Sequence, residues 1–282
     1  MATLTQHQSQ DRSKLMIVGD NGTGKTSLLA SLARAGYRLF IQDFDDGLDI
    51  MAMLLQDEPE ALERVHYVTL KDRFKFKNGS PIVSEPKAFS QSMKLLNKWV
   101  DPDTGEDFGS VEDWGPNDVL VVDSATFQGK AALNYTLWKN GRLEKPKRIQ
   151  DWGDAIERQE TMFALVTDDA IKCNVVVMAH LAQQSNDKDE DDEEQGTTVQ
   201  GTTKRYPTVL GKKLPPQVGS YFNTVVQTKS KGAGTKTRRV IQTTPDPDVD
   251  VKVPVISGLP NELPVADGLP KLFNMLQGKK ES

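Results

Sequence analysis

The sequence predicts an α/β fold, a mostly parallel central sheet flanked by helices with a C-terminal antiparallel β extension. Three observations carry this. Lys14–Gln42 reads as strand, glycine-containing loop, helix and strand in succession, the opening of a parallel sheet. Val119-Leu120-Val121-Val122 and Val175-Val176-Val177-Met178-Ala179 are continuous apolar runs, as strands covered on both faces require. From Tyr221 onward, short strand patterns (Tyr221–Lys229, Thr237–Thr243) alternate with turns.

The elements follow in order. Leu15, Met16, Ile17 and Val18 form the first strand, and Leu28, Leu29, Leu32 and Ala33 share one face of a helix ending at Gly36. A second strand, Arg38–Gln42, runs into Asp43-Phe44-Asp45-Asp46-Gly47. Val65–Leu70 reads as a strand, and Phe74–Val83 as a hairpin turning at Asn78-Gly79. Pro86 opens a helix carrying Phe89, Met93, Leu96 and Val100. The strand at Val119 ends in Asp123-Ser124. An irregular stretch is expected over Ala125–Gly153 and an amphipathic helix over Asp154–Lys172, before the strand ending at His180. A last short helix is expected near Leu269–Leu276. The organisation reads as an N-terminal tail (1–13), a core (14–244) with a mobile loop at 185–217, and a Pro-rich tail (245–282).

Bulk composition narrows the class. The chain has 282 residues, 37% hydrophobic and 27% charged, with a formal charge of −5, as an ordinary globular protein would. Its one cysteine, Cys173, excludes an internal disulfide and a cysteine-based zinc site. No apolar run approaches the roughly 18 residues that span a membrane, and the polar N-terminus lacks a signal-peptide core. A cytoplasmic location and no membrane partner are expected.

The chemistry is concentrated at Gly19-Asp20-Asn21-Gly22-Thr23-Gly24-Lys25-Thr26, which fits the Walker A pattern in full and is followed by Ser27. The glycines let backbone N–H groups converge on phosphates, Lys25 bridges the outer phosphates, and the Thr26 hydroxyl suits Mg²⁺ at a helix N-terminus. The motif therefore implies ATP and Mg²⁺. Asp123, closing an apolar strand, stands where a carboxylate reaches the metal shell together with Thr26. Asp43, Asp45 and Asp46 end the strand after the loop's helix, on the edge where ligands of parallel sheets collect, so one of them is placed to orient water. His180 closes a third strand on that edge, as a γ-phosphate sensor or a structural hydrogen-bonder.

The order of these signals resembles the ATPase core of the RecA family over about Lys14 to Thr243. The resemblance puts the water-activating carboxylate on Asp45, where the family usually has Glu. It puts His180 where bacterial recombinases carry a glutamine that relays nucleotide state to a DNA-binding loop. In this it resembles the compact RecA-like ATPases of bacteriophages, a group that includes single-strand annealing proteins. Lys229 and Lys231 are similar to a lysine pair that reaches a neighbouring subunit's ATP; a pair of solvated lysines in a turn is the other reading. Ala125–Gly153 and Ala182–Gln217 stand where the family's DNA-binding loops would be.

The first of these loops carries Lys139, Arg142, Lys145, Lys147 and Arg148 beside Tyr135, Trp138 and Trp152, a composition suited to sequence-neutral binding of single strands. The second carries Lys204, Arg205, Lys212 and Lys213, but also the run Asp187–Glu194, in which seven of eight residues are acidic. The resemblance implies an oligomerising, DNA-stimulated ATPase of phage recombination that anneals or exchanges single-stranded DNA. Two readings stand against it. One is a nucleotide-gated loading factor for a protein partner such as a helicase or single-strand-binding protein. The other is a small-molecule kinase, for which no arginine-rich lid is present.

Overall fold

The computed structural model describes residues 12–183, 204–256 and 258–279. In chain order the elements are β1 (Lys14–Gly19), α1 (Lys25–Arg34), β2 (Arg38–Asp43), α2 (Asp49–Leu55), α3 (Pro59–Leu62), β3 (Val65–Thr69), β4 (Arg73–Lys77), β5 (Ser80–Glu85) and α4 (Ala88–Asn97). There follow β6 (Asp118–Asp123), α5 (Ala125–Lys139), α6 (Ile149–Thr167), β7 (Asn174–Gln183), β8 (Arg205–Pro207), α7 (Leu214–Gln217), β9 (Thr224–Lys231), β10 (Arg238–Gln242), β11 (Glu262–Pro264) and α8 (Gly268–Leu276).

The main sheet has the order β11-β10-β9-β1-β7-β6-β2-β3, with β8 attached to the far end of β7. From β9 to β3 every pair is parallel, while β10, β11 and β8 join antiparallel. The predicted α/β class with its C-terminal antiparallel extension is what is observed. Alternation along each strand divides the core between the two faces. Leu15, Ile17, Leu39, Ile41, Val119 and Val121 meet α1 and α8 on one face. Met16, Val18, Phe40, Leu120, Val122, Val175 and Val177 meet α4, α5 and α6 on the other. Burial of each such side chain stabilises the fold by roughly 1.5–3 kcal/mol, so this double cover is what fixes the strand register.

Four stretches differ from expectation. Ala125–Gly153 is not irregular: most of it is α5 and the start of α6, and α6 runs Ile149–Thr167 instead of Asp154–Lys172. Helix α5 buries Thr126, Gln128 and Thr136 beside its alanines and leucines, which blurs its apolar periodicity. Gly129 is no breaker there. A Cβ at that position would stand 2.7 Å from Gln159 Nε2, so glycine lets the two helices close. Gln159 in turn donates to the Ala125 carbonyl at 2.8 Å and to Gln128 Oε1 at 2.9 Å. Strand β7 also continues past His180, pairing Leu181–Gln183 with β8. Beyond Thr244, β11 joins the sheet and α8 buries Leu269, Leu272 and Phe273. At the other end Arg12 and Ser13 are buried as well. The acidic run Asp187–Glu194 lies outside the described residues.

Helices α5 and α6 form an antiparallel pair: Gln159 sits beside Ala125, and Asp154 beside Asn140. Only the turns from Gln159 to Thr167 descend alongside the sheet toward β7. The tip at 140–148 therefore stands beyond the sheet's carboxyl edge. The β4–β5 ribbon reaches the same region, since Lys77 Nζ meets Glu144 Oε2 at 2.5 Å.

Candidate nucleotide site

Strand register brings the motif residues to one edge. Gly19 is level with His180 on β7 and with Thr228 on β9, and Asp43 is level with Asp123. The loop after Gly19 then turns into α1 through Gly24, whose φ of 95° is a conformation that side chains other than glycine resist. A Cβ there would also meet Arg239 at 3.0 Å and Val265 at 3.1 Å. Asn21, Gly22, Gly24, Lys25, Thr26, Ser27, Asp45, Ile50, Asp123, His180 and Arg239 line a cavity of about 340 Å³. A larger cleft of about 540 Å³ between α4, α5 and α6 contains none of the motif residues.

Inside the cavity the polar groups form one connected network. Lys25 Nζ donates to the Gly19 and Asp20 carbonyls, both at 2.9 Å, and lies 3.3 Å from His180 Nδ1. His180 Nε2 is 2.9 Å from Asp45 Oδ2, and Ser124 Oγ donates to Asp45 Oδ1 at 2.7 Å. The tautomer with its proton on Nε2 satisfies both histidine contacts, accepting from Lys25 and donating to Asp45. Thr26 Oγ1 donates to Asp123 Oδ2 at 3.0 Å. Thr23 shares a 2.7 Å hydroxyl contact with Thr228, and its hydroxyl also donates to the Asp20 carbonyl at 2.7 Å.

Burial and charge set the carboxylates apart. Burial first, and the charges of Asp45 and Asp43, push Asp123 up to about 7 against the hydrogen bond from Thr26 and the charge of Lys25. Burial works on Asp45 in the same direction, but the hydrogen bonds from His180 and Ser124 overcome it and hold Asp45 below its ordinary value. Asp43 is raised, by burial first. Burial lowers Lys25, with Asp123, Asp45 and Asp20 opposing. Thr26 and Asp123 offer one hydroxyl and one carboxylate oxygen side by side, and a buried carboxylate held that high favours a nearby cation. This donor set fits Mg²⁺, which keeps several waters and substrate phosphate oxygens and needs few protein ligands. Among the described residues no cluster of three or more His, Cys, Asp or Glu forms a self-sufficient metal cage.

The other sequence candidates fall elsewhere. Asp46 accepts from Lys71 at 2.5 Å on the outside of the site. Lys229 pairs with Asp246, and Lys231 with Glu262, so both lysines are engaged within the chain. Arg205 on β8 pairs with Asp20 of the phosphate loop, and Lys204 holds Asp250 at 2.8 Å. Arg142 and Arg148 both converge on Asp151, which together with the Arg148 backbone N–H holds that carboxyl well below the usual range and organises the start of α6. Lys139, Lys145 and Lys147 lie on the exposed surface of that tip. Burial pushes the Cys173 thiol up to about 12, which leaves it unreactive.

Ser124, Ile50, Arg239 and the Arg205–Asp20 pair were missed in the sequence. Ser124 had a signal, standing directly after Asp123 on the same edge. Arg239, whose Nε donates to the Gly22 carbonyl at 3.0 Å, had none: β9–β10 pairing alone brings it to the loop.

A Walker A loop between a buried strand and a helix, with a strand-end aspartate bonded to its threonine, defines a P-loop nucleotide site. The AAA domain family matches residues 11–255, and the chain belongs to it; it is a P-loop ATPase. No curated protein matches the chain. Among solved structures it is similar to an ATPase from the type III secretion system of pathogenic bacteria, at 12% identity and TM-score 0.43 over 79% of this chain and 55% of that one. It is also similar to the KaiC-like protein PH0186 from Pyrococcus horikoshii OT3, at 10% identity and TM-score 0.40 over 82% of this chain and 78% of that one. A third is the EscN ATPase of enteropathogenic E. coli, in complex with its stalk EscO, at 13% identity and TM-score 0.43 over 79% of this chain and 45% of that one. The chain thus spans about half the length of the two secretion ATPases. Among the described residues no helix is long and apolar enough to cross a membrane.

Proposed function

We propose that this ATPase is a Mg²⁺-dependent, self-assembling protein of the compact phage RecA-like type that binds single-stranded DNA and promotes annealing or strand exchange. The observation that carries the reading is the chain of contacts Lys25–His180–Asp45–Ser124, because His180 lies on β7, whose last residues Leu181–Gln183 pair with β8. Phosphates in the loop would draw Lys25 from the Gly19 and Asp20 carbonyls. His180 would register this and pass it along β7 to the segment behind it. Arg205 on β8, paired with Asp20 of the phosphate loop, closes the circuit. In hydrolysis Asp45 would orient the attacking water and Lys25 would stabilise charge on the transferred phosphoryl group; Thr26 and Asp123 would hold Mg²⁺, which when bound would supply further charge stabilisation there.

One observation favours the second reading, a nucleotide-gated loading factor with incidental turnover. Asp45 sits below its ordinary value, so it orients water better than it accepts a proton. Steady-state ATP hydrolysis with and without single-stranded DNA, on wild type and Lys25→Ala, separates the two. Strong DNA stimulation that Lys25→Ala abolishes supports the first. Slow turnover indifferent to DNA overturns it in favour of the second.

A further inference from the structure

The β4–β5 ribbon plays no part in the site described above, yet it displays large aromatic side chains to solvent. Every residue of β4, Arg73-Phe74-Lys75-Phe76-Lys77, is exposed. Phe74 is 66% and Phe76 80% exposed, where large aromatics are ordinarily buried. Alternation puts both rings on one face, opposite Val83 and Pro81, with Lys75 and Lys77 on the other; the ladder shifts register between Arg73 and Phe74. The base of the ribbon is tied down: Asp72 accepts from the Ala88 N–H at 3.0 Å and from Asn134 Nδ2 of α5 at 2.9 Å. The rings are therefore displayed on an anchored support.

Charge indicates the partner. The chain as a whole carries 35 Lys and Arg against 40 Asp and Glu. Residues 73–87, however, hold four cations (Arg73, Lys75, Lys77, Lys87) against Glu85 alone. The tip of α5–α6 adds Lys139, Lys145 and Lys147 against Glu144, with Arg142 and Arg148 paired to Asp151. The Lys77–Glu144 pair joins these two projections into one surface. That surface adds exposed Trp138, and Trp152 with Lys147 Nζ 5.4 Å from its ring centroid. The ribbon is one sheet thick, so its cations act on the aromatic face within the roughly 10 Å reach of unscreened charge.

We propose that the β4–β5 ribbon is a stacking platform for single-stranded nucleic acid, in which Phe74 and Phe76 take bases and the surrounding lysines and Arg73 hold phosphates. This rests on the single-strand reading above and adds to it a contact surface on a different element from Ala125–Gly153 and Ala182–Gln217. Alternate residues of a strand stand about 6.8 Å apart, twice the roughly 3.4 Å step of a stacked nucleic-acid strand. The two rings therefore suit an extended strand or every second base of a stacked one. Stacking is indifferent to base identity, so the surface binds without sequence preference.

Anisotropy of a labelled oligo-dT strand over a salt series tests this on wild type, Phe74→Leu/Phe76→Leu, Phe74→Trp/Phe76→Trp and Lys75→Ala. The rings are exposed, so all variants are expected to melt with wild type. The leucine pair should lose at least about tenfold in affinity with an unchanged salt slope, since each stack contributes roughly 5- to 150-fold. The tryptophan pair should bind as wild type or tighter. Lys75→Ala should lower the slope by up to about 0.7, one phosphate's share on a single strand. A leucine pair that binds like wild type overturns the platform and leaves the single-strand reading intact, and points to a protein partner for this apolar face. A wild-type protein that does not bind the strand overturns both.

Discussion

The nucleotide cavity and the β4–β5 ribbon treat polar and apolar groups in opposite ways. In the cavity, Lys25 and Asp123 are buried and Asp45 and His180 largely so, each answered by another group of the network. On the ribbon, aromatic rings face solvent while most of the surrounding charge is cationic. Buried polar groups are costly unless satisfied, so the cavity's network has one arrangement that a ligand can perturb. Exposed rings contribute little to folding, so the ribbon is open to an outside partner. Substitutions should therefore divide cleanly: cavity changes alter chemistry and stability, ribbon changes alter neither.

The largest effect is expected at Asp45. Asp45→Ala removes the carboxylate proposed to orient water and leaves His180 and Ser124 without their shared acceptor. ATP turnover should fall by about 10²–10⁴-fold. Binding of a fluorescent ATP analogue should stay within about threefold, because the phosphate loop is untouched. If binding and turnover fell together, Asp45 would be a structural support of the loop and no longer distinct from it. The same assay on Phe76→Ala should show basal turnover unchanged.

Next in size is a pair of stability measurements. Gly129→Ala forces a methyl group against Gln159 and disturbs its bonds to Ala125 and Gln128, so unfolding free energy by urea should fall by about 1–3 kcal/mol. Phe76→Ala, though it removes a larger group, should change it by less than about 0.5 kcal/mol. A destabilising Phe76→Ala would mean that the ribbon packs against the body and is no free surface.

How much of this was legible in the sequence follows from the distance over which each signal acts. The phosphate loop was readable because its glycines, Lys25 and Thr26 are contiguous and their neighbours Leu15–Val18 and Leu28–Leu32 show local periodicity. Asp123 and His180 were readable because each ends an apolar run, and strand ends converge in a parallel sheet. Helix α5 was not, because it buries Thr126, Gln128 and Thr136, whose side chains bond to distant partners that no local pattern reveals. The Thr126 hydroxyl accepts from the His180 N–H at 3.0 Å, and the Thr136 hydroxyl accepts from Arg158 at 3.1 Å. Arg205 and Arg239 reach the loop across 185 and 217 positions of chain, through pairing that composition does not encode. The hairpin at Asn78-Gly79 was legible as a shape, but its exposure was not, because Phe-Lys-Phe alternation reads equally well as a half-buried strand.

The smallest effect, and the one that most sharpens the contrast, concerns Asp123. Its carboxyl is raised from the ordinary 3.8 to about 7 by burial and by Asp45. Between about pH 4 and pH 7 the folded protein therefore binds a proton that the unfolded chain has released, and stability falls as pH rises through that window. Above pH 7 the cost of the buried charge is present in full. Asparagine cannot ionise and still accepts from Thr26. Without divalent cation, Asp123→Asn should match wild type near pH 4 and exceed it at pH 8 by on the order of 1–2 kcal/mol in urea unfolding. Asp45 does not confuse the reading, because its lowered value puts its own loss of stability below pH 3.8. With Mg²⁺ and ATP the order at pH 8 should reverse, since the cation offsets the wild-type charge and leaves asparagine a poorer ligand. A variant no more stable than wild type at pH 8 would show that the network around Asp123 already neutralises it, and that the cavity is less strained by its own charge than its burial implies.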